Sequence, residues 1–373
     1  MGSHVFAASV QRLLEYAPHL PNEYTKERSM LVRRSSKILV ALGVAFIALA
    51  ALLRFVLVPS LSKLPGDLDV NPVYEGTGTL LNAQALQAGD IPNVIASGVP
   101  VTINRHIYVS STDGDTAVAH DDVTLEVAGQ AVPSNHTYAV DRKTMDAATG
   151  QPQDGVEPHS GMTIALPLHP DPSASYRYYD SATKTTVPMT YVDSGTVSGR
   201  DVLNYTVEVK GALSDPAIAG TLPPALPKAL VSSLTPLLPP DVQQSLGGAL
   251  EQLPDPVPFS YTAVNRINLA ADQTLGTPID ANLSQQIIAN IDVNGRLLPL
   301  TPVMSIDTAL TDQSIADAAA AAEKTSTQLN LISVIAPLVL LVLGVLALAA
   351  GFLRRGPRPA ALAPVSHEET PVR

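Results

Sequence analysis

The chain has 373 residues, 46% hydrophobic and only 15% charged, with a net charge of −11 and neither cysteine nor tryptophan. This excludes a disulfide scaffold, a thiolate metal site and a cysteine nucleophile, and the acidic excess argues against nucleic acid as a partner. A mean hydropathy of +0.18 is too apolar for an ordinary soluble domain, and the excess sits in two blocks.

Residues 1–37 read as a cytoplasmic tail. Within it, Met30-Leu-Val-Arg-Arg has the form of an ordinary start for a membrane anchor. Residues 38–58, ILVALGVAFIALAALLRFVLV, form the first block. About 21 helical residues span about 30 Å, the thickness of bilayer hydrocarbon. Arg28, Arg33, Arg34 and Lys37 precede the block and Lys63 follows it, so the positive-inside rule places the N-terminus in the cytoplasm. The block is too long for the apolar core of a cleavable signal peptide. Arg54 lies about one turn from its outer end, a membrane-interface position from which a guanidinium snorkels to the headgroups.

Residues 59–306 are expected to form an extracytoplasmic, mainly β domain, an antiparallel sheet or a barrel-like fold with short helices. Residues 59–330 carry 29 acidic and 12 basic side chains, a net of −17. Residues 202–210, VLNYTVEVK, alternate with period two: Leu203, Tyr205, Val207 and Val209 share one face, and polar residues share the other. Residues 101–110, 123–127, 136–142, 187–193, 259–269 and 286–295 read as further half-buried strands. Between them recur turns that open on aspartate, at 146–150, 180–184 and 272–276. An aspartate accepts N–H bonds from two or three residues on, so these are loop tips and not calcium loops.

Residues 222–258 break the pattern. The segment is apolar, punctuated by proline and nearly uncharged, with short helices expected over 225–234 and 241–253 and Asp241 as an N-cap. Leu226, Leu230, Leu234, Leu237 and Leu238 are the candidate lipid-contacting residues; packing onto the sheet is the alternative. Residues 307–330, rich in alanine, are expected to form a helical stalk. It leads into the second block, 331–353, which Pro337 is expected to kink. Arg354, Arg355 and Arg358 follow, so residues 354–373 form a second cytoplasmic tail.

Catalytic constellations are not found. Gly195-Thr-Val-Ser-Gly199 has the wrong spacing for a nucleophile elbow. His120-Asp121-Asp122, with His106 on a nearby strand, is the densest cluster of metal-ligand types, and it reads as a solvated turn. No catalytic residue, metal or cofactor is assigned, and no enzymatic activity is expected.

Two runs carry a resemblance. Leu52-Leu-Arg54-Phe-Val-Leu-Val-Pro59-Ser-Leu-Ser-Lys63-Leu-Pro65 resembles the anchor exit of the actinobacterial PorA family, whose domain carries the label DUF3068. Tyr179-Asp180-x-x-Thr183, Val187-Pro188, Tyr191-Val192 and Tyr205-x-Val207 resemble the same family in the same order, although Trp commonly precedes that aspartate and Tyr179 stands here. The resemblance covers roughly residues 30–355. It implies a porin of the cell envelope. The two-tail layout is also similar to that of class B scavenger receptors, which implies a lipid-handling ectodomain. Physics opposes the porin, because two helices cannot enclose a channel without oligomerising and the strands lack a lipid-facing apolar band; the likeness to the receptors is one of topology, and the absence of cysteine departs from them. The expected function is therefore an extracytoplasmic domain that binds or passes envelope lipids. A pore and a scaffold without small ligand are the alternatives. Membrane lipids are the expected partners, and oligomerisation stays open.

Overall fold

The structure is a computed structural model and describes residues 23–149 and 155–354. Residues 1–22, 150–154 and 355–373, with Gly150, Arg355 and Arg358, lie outside the described residues. The chain falls into two units, Met1–Val58 with Asn330–Arg373, and Pro59–Leu329.

In chain order, α1 (Glu23–Leu52) is extended by a π turn, Leu53–Leu57, and a last turn to Leu61. Then come β1 (Asp69–Val70), β2 (Val73–Leu81), α2 (Ala83–Ala88), β3 (Ile95–Asp113), β4 (Thr116–Val127) and β5 (Gln130–Asp141). After a long loop follow β6 (Arg177–Asp180), β7 (Thr185–Val197), β8 (Arg200–Ala212) and the short α3 (Pro216–Ala219). The proline-punctuated segment supplies β9 (Ala225–Leu226), α4 (Lys228–Leu234), α5 (Pro240–Ala249) and β10 (Val257–Pro258). The chain closes with β11 (Ser260–Asp272), β12 (Pro278–Val293), β13 (Arg296–Leu310), α6 (Asp312–Asn330), a π turn (Leu331–Ile335) and α7 (Ala336–Leu353).

The first unit is an antiparallel helix pair. Ser36 Oγ donates to the Gly351 carbonyl at 2.6 Å. A Cβ on Gly43 would lie 2.8 Å from the Gly344 carbonyl oxygen, and one on Gly344 would lie 2.7 Å from Ile47 Cγ1. Only glycine lets the backbones approach this closely, the packing that membrane helices favour. Apolar side chains face away from the pair: Ile38, Phe55, Val345 and Leu353 are all exposed. The helical runs Arg34–Ser60 and Asp312–Leu353 are long and apolar enough to cross a membrane. Arg54 is exposed in the first π turn. The second π turn ends two residues before Pro337, which lacks the N–H a regular helix would use there.

The second unit is one large antiparallel sheet in the order β5-β4-β3-β2-β13-β12-β11-β8-β7-β6, with β1 added on β3. It curls into a half-barrel. One apolar cluster joins its two ends, with Ala117, Ala119 and Tyr138 from β4 and β5 meeting Tyr179, Met189, Leu203 and Tyr205 from β6–β8. A second cluster fills the middle with Tyr74, Val101, Ile103, Ile287, Met304 and Ile306. Leu203, Tyr205, Val207 and Val209 are all buried on one face, as their alternation dictates. Two of the three aspartate turns form as expected, while Asp146 Oδ1 accepts instead from Ala147 N and Gly161 N, and its turn ends at Gly150, outside the described residues. Asp180 Oδ2 accepts from Thr183 N at 2.9 Å, and Asp272 Oδ1 from Thr274 N and Leu275 N at 2.9 and 2.8 Å.

Three expectations need correction. Residues 307–310 belong to β13, not to the helical stalk, which starts at Asp312 after Thr311 Oγ1 accepts from Ser314 N. One face of this helix packs on the sheet through Ala319 and Ala322. Ala225 and Leu226 form a strand with Pro258 and Val257 and do not start a helix, because Pro227 has an extended ψ of 137°. Asp241 is inside the first turn of α5, behind Pro239 as N-cap and Pro240, and it makes no capping bond. Proline needs no N–H acceptor at that position, so nothing recruits the carboxylate.

Candidate apolar site

The proline-punctuated segment leaves the sheet after α3 and returns into β11. A narrow base ties it down. Leu226 pairs with Val257 and Ala225 with Pro258. Phe259 N donates to the Pro224 carbonyl at 2.9 Å, Lys228 N to Asp255 Oδ1 at 3.0 Å, and the Tyr261 hydroxyl to the Pro223 carbonyl. Prolines at 227, 236, 239 and 240 keep α4 and α5 short and fix the bends between them. The helices lay their apolar sides on the end of β12 and β13, where Val231, Leu238, Val242 and Leu246 bury against Ile291 and Leu300.

A second wall comes from a distant part of the sequence. Asn82 caps α2, its Oδ1 accepting from Gln84 N and Ala85 N, both at 3.1 Å, and Gly89 ends the helix in the left-handed conformation. This places Leu86 and Val94 against Leu226, Leu230 and Leu234.

Between these walls is a cavity of about 100 Å³. Its lining includes Leu86, Val94 and Ile95 on one side, Leu226, Val231, Leu234, Leu237 and Leu238 on the other, and Phe259, Tyr261, Ala289, Leu300 and Val303 beneath. None of the described lining residues is charged. Burial pushes the Tyr261 phenol up to about 12, so it remains a neutral donor to its carbonyl. Leu237 and Ile95 line the cavity yet are 52% and 40% exposed, which makes them its mouth, whereas Leu238 is only 8% exposed. Of the sequence-predicted residues, the cavity brings together Leu226, Leu234, Leu237 and Leu238. Leu230 packs beside it, against Ala85, Leu86 and Val94.

Polar groups also pair on both faces of the sheet. His120, Asp121 and Asp122 are paired strand residues of β4 and not a solvated turn; His120 and Asp122 point to one face and Asp121, buried, to the other. His120 bonds Ser110 Oγ and Thr137 Oγ1, His106 bonds Asp69, and Asp121 takes the Arg105 guanidinium in two bonds of 3.0 and 2.5 Å. Asp121 and Tyr74 hold the Arg105 proton against the opposing effect of burial. A further group escaped the sequence reading: Ser134 Oγ is 2.9 Å from His136 Nε2 and 2.7 Å from Asp215 Oδ2, and His136 Nδ1 is 2.8 Å from Glu157 Oε1. Ser134 and His136 share a strand face two residues apart, but Glu157 and Asp215 join them only through the fold. The order serine–histidine–carboxylate invites a nucleophile reading, and proton counting opposes it. Ser134 Oγ donates to Asp215 Oδ2, so its proton is directed away from His136. That direction is the reverse of a nucleophile that hands its proton to an imidazole base.

The sequence profile of the family described as Porin PorA matches residues 35–353. The chain belongs to the PorA family. The match takes in both long apolar helices and the whole sheet of this PorA-family protein, the cavity included. No curated protein matches it. Among solved structures, it is similar to the peroxisomal multifunctional enzyme type 2 of Drosophila melanogaster at 10% identity and a TM-score of 0.13, covering 64% of this chain and 37% of that one. It is also similar to a conserved hypothetical protein of Mycobacterium tuberculosis with a double hotdog fold, at 15% identity and a TM-score of 0.14, covering 72% and 80%. A hotdog-fold protein of Alicyclobacillus acidocaldarius is similar at 14% identity and a TM-score of 0.12, covering 66% and 81%. At such scores these likenesses carry no inference about fold or activity.

Proposed function

We propose that this PorA-family protein is a non-enzymatic, two-pass protein of the cell membrane whose extracytoplasmic sheet domain binds or passes envelope lipids. The observation that carries the reading is the cavity: an uncharged space walled by leucines, with an exposed apolar mouth, in a domain that is otherwise acidic. A void of this kind excludes water and accepts hydrocarbon. Its volume is small, so the lipid enters with its chain. Both tails lie on the cytoplasmic side, in keeping with the Lys and Arg cluster in the first half of α1 and the arginines that follow α7 in sequence. Support for a non-enzymatic role comes from Ser134, whose proton is directed to Asp215.

A pore is the second reading, favoured by the description of the family. The two readings separate in one comparison on purified full-length protein. Native mass spectrometry should detect co-purifying lipid, and planar bilayers should show no unitary conductance. Conductance steps without bound lipid would put the pore first.

A further inference from the structure

The cavity restricts the part of a lipid that it can receive. An apolar cavity of about 150 Å³ holds a single benzene ring, and drug-sized ligands need about 300 Å³ or more. About 100 Å³ therefore has room for a few carbons in single file and none for a ring system or two chains side by side. The lining offers little to a headgroup: besides Tyr261, the one side-chain polar group among its described residues is the Thr301 hydroxyl. None of the described lining residues is charged, and the Tyr261 hydroxyl is already spent on the Pro223 carbonyl. Lys228 is not among the described lining residues, and its Nζ reaches the Glu251 carbonyl at 3.2 Å. The mouth is apolar too, with Leu237 on the turn between α4 and α5 and Ile95 at the start of β3. Burial deepens from there toward Val231 at 3% and Val94 at 1% exposure.

We propose that the cavity receives the terminal carbons of one unbranched hydrocarbon chain, inserted tail-first between Leu237 and Ile95, with the headgroup left outside and unread. This rests on the lipid-binding reading above and adds the ligand class, its orientation and an indifference to headgroup charge.

Because the chain has no tryptophan, an introduced one is a unique reporter. Two single-tryptophan variants of the full-length protein, Phe259→Trp beneath the cavity and Leu237→Trp at its mouth, are placed in nanodiscs of unbrominated lipid. Each is titrated with long-chain alcohols brominated either at the terminal carbon or beside the hydroxyl; bromine quenches tryptophan on contact. The expected pattern is reciprocal. Terminal bromine quenches Phe259→Trp several-fold more than head-side bromine does, and head-side bromine is the stronger quencher of Leu237→Trp. Repeating the titration with carboxylate and trimethylammonium heads should shift the midpoint less than about threefold. The reverse pattern, equal quenching by both bromine positions, or a strong preference for one head charge overturns the proposal while leaving lipid binding intact. If neither probe quenches either reporter, the lipid-binding reading fails as well. Leu237 is exposed, so its variant folds even if Phe259→Trp does not, and its head-side preference alone then decides.

Discussion

The closed end of the half-barrel and the end beneath the proline-punctuated segment are built from the same kinds of residue, and they differ in filling. At the closed end, Tyr138, Leu203, Tyr205 and Val207 each have 2% exposure or less and interlock from both margins of the sheet. At the other end, two short helices held apart by prolines meet α2 across a gap. Strands with regular register can slide until their side chains interdigitate. Helices fixed at their bends by proline cannot, and the mismatch persists as a void. The difference teaches that apolar composition alone does not separate core from site; the freedom of the backbone to close the gap does.

The comparison can be broken most severely at the closed end. Leu203→Ala should cost about 2–5 kcal/mol, as a buried side chain in a filled core does. At the polar centre of the closed region, His136→Ala leaves the Glu157 and Asp215 carboxylates beside Ser134 without their imidazole. A buried polar group left without its hydrogen-bond partner costs about 1–3 kcal/mol, measurable as a lowered urea midpoint, whereas His136→Ala with unchanged stability would deny the cluster its structural role. Leu237→Ala, at the mouth, should change stability by no more than about 0.5 kcal/mol and lower lipid occupancy. Equal losses from Leu203→Ala and Leu237→Ala would erase the distinction between the two ends. Leu238 does not serve this purpose: it is buried, so Leu238→Asp would unfold the segment whether or not lipid binds there.

A smaller effect concerns pH. His159 packs against Tyr138 and Tyr179, and burial holds its imidazole below the ordinary value of about 6.5. The unfolded chain therefore binds this proton more readily than the folded one. Its contribution to stability is present above pH about 6.5 and is lost progressively on acidification below it. His159→Phe should flatten that limb of a melting-temperature profile; an unchanged slope would assign the acid sensitivity elsewhere.

Much of the sheet was legible because burial on one face imposes period two, as Leu203 to Val209 show. β13 was not, since Pro299 and Pro302 interrupt the pattern. The structure places both in the half of the strand before its pairing with β2 begins at Met304, next to register shifts against β12. The candidate residues were legible from composition: an apolar, proline-rich run in an acidic domain. Its opposite wall was not, because Leu86 and Val94 lie far back in the sequence and join the site only through sheet topology. Ser134 and His136 were hidden for the same reason, as their carboxylate partners arrive from a loop and from the start of α3.

The most direct measurement compares lipid occupancy before and after the void is filled. Ala289 lines the cavity and is 5% exposed, and Ala289→Leu extends its side chain into the space. Native mass spectrometry of both full-length proteins, purified identically and matched in melting temperature, counts the lipid that stays bound. The account predicts an adduct on the parent protein that is lost or strongly reduced in Ala289→Leu. An adduct of equal abundance on both would contradict it, placing the lipid elsewhere on the molecule and leaving the cavity without a role in binding.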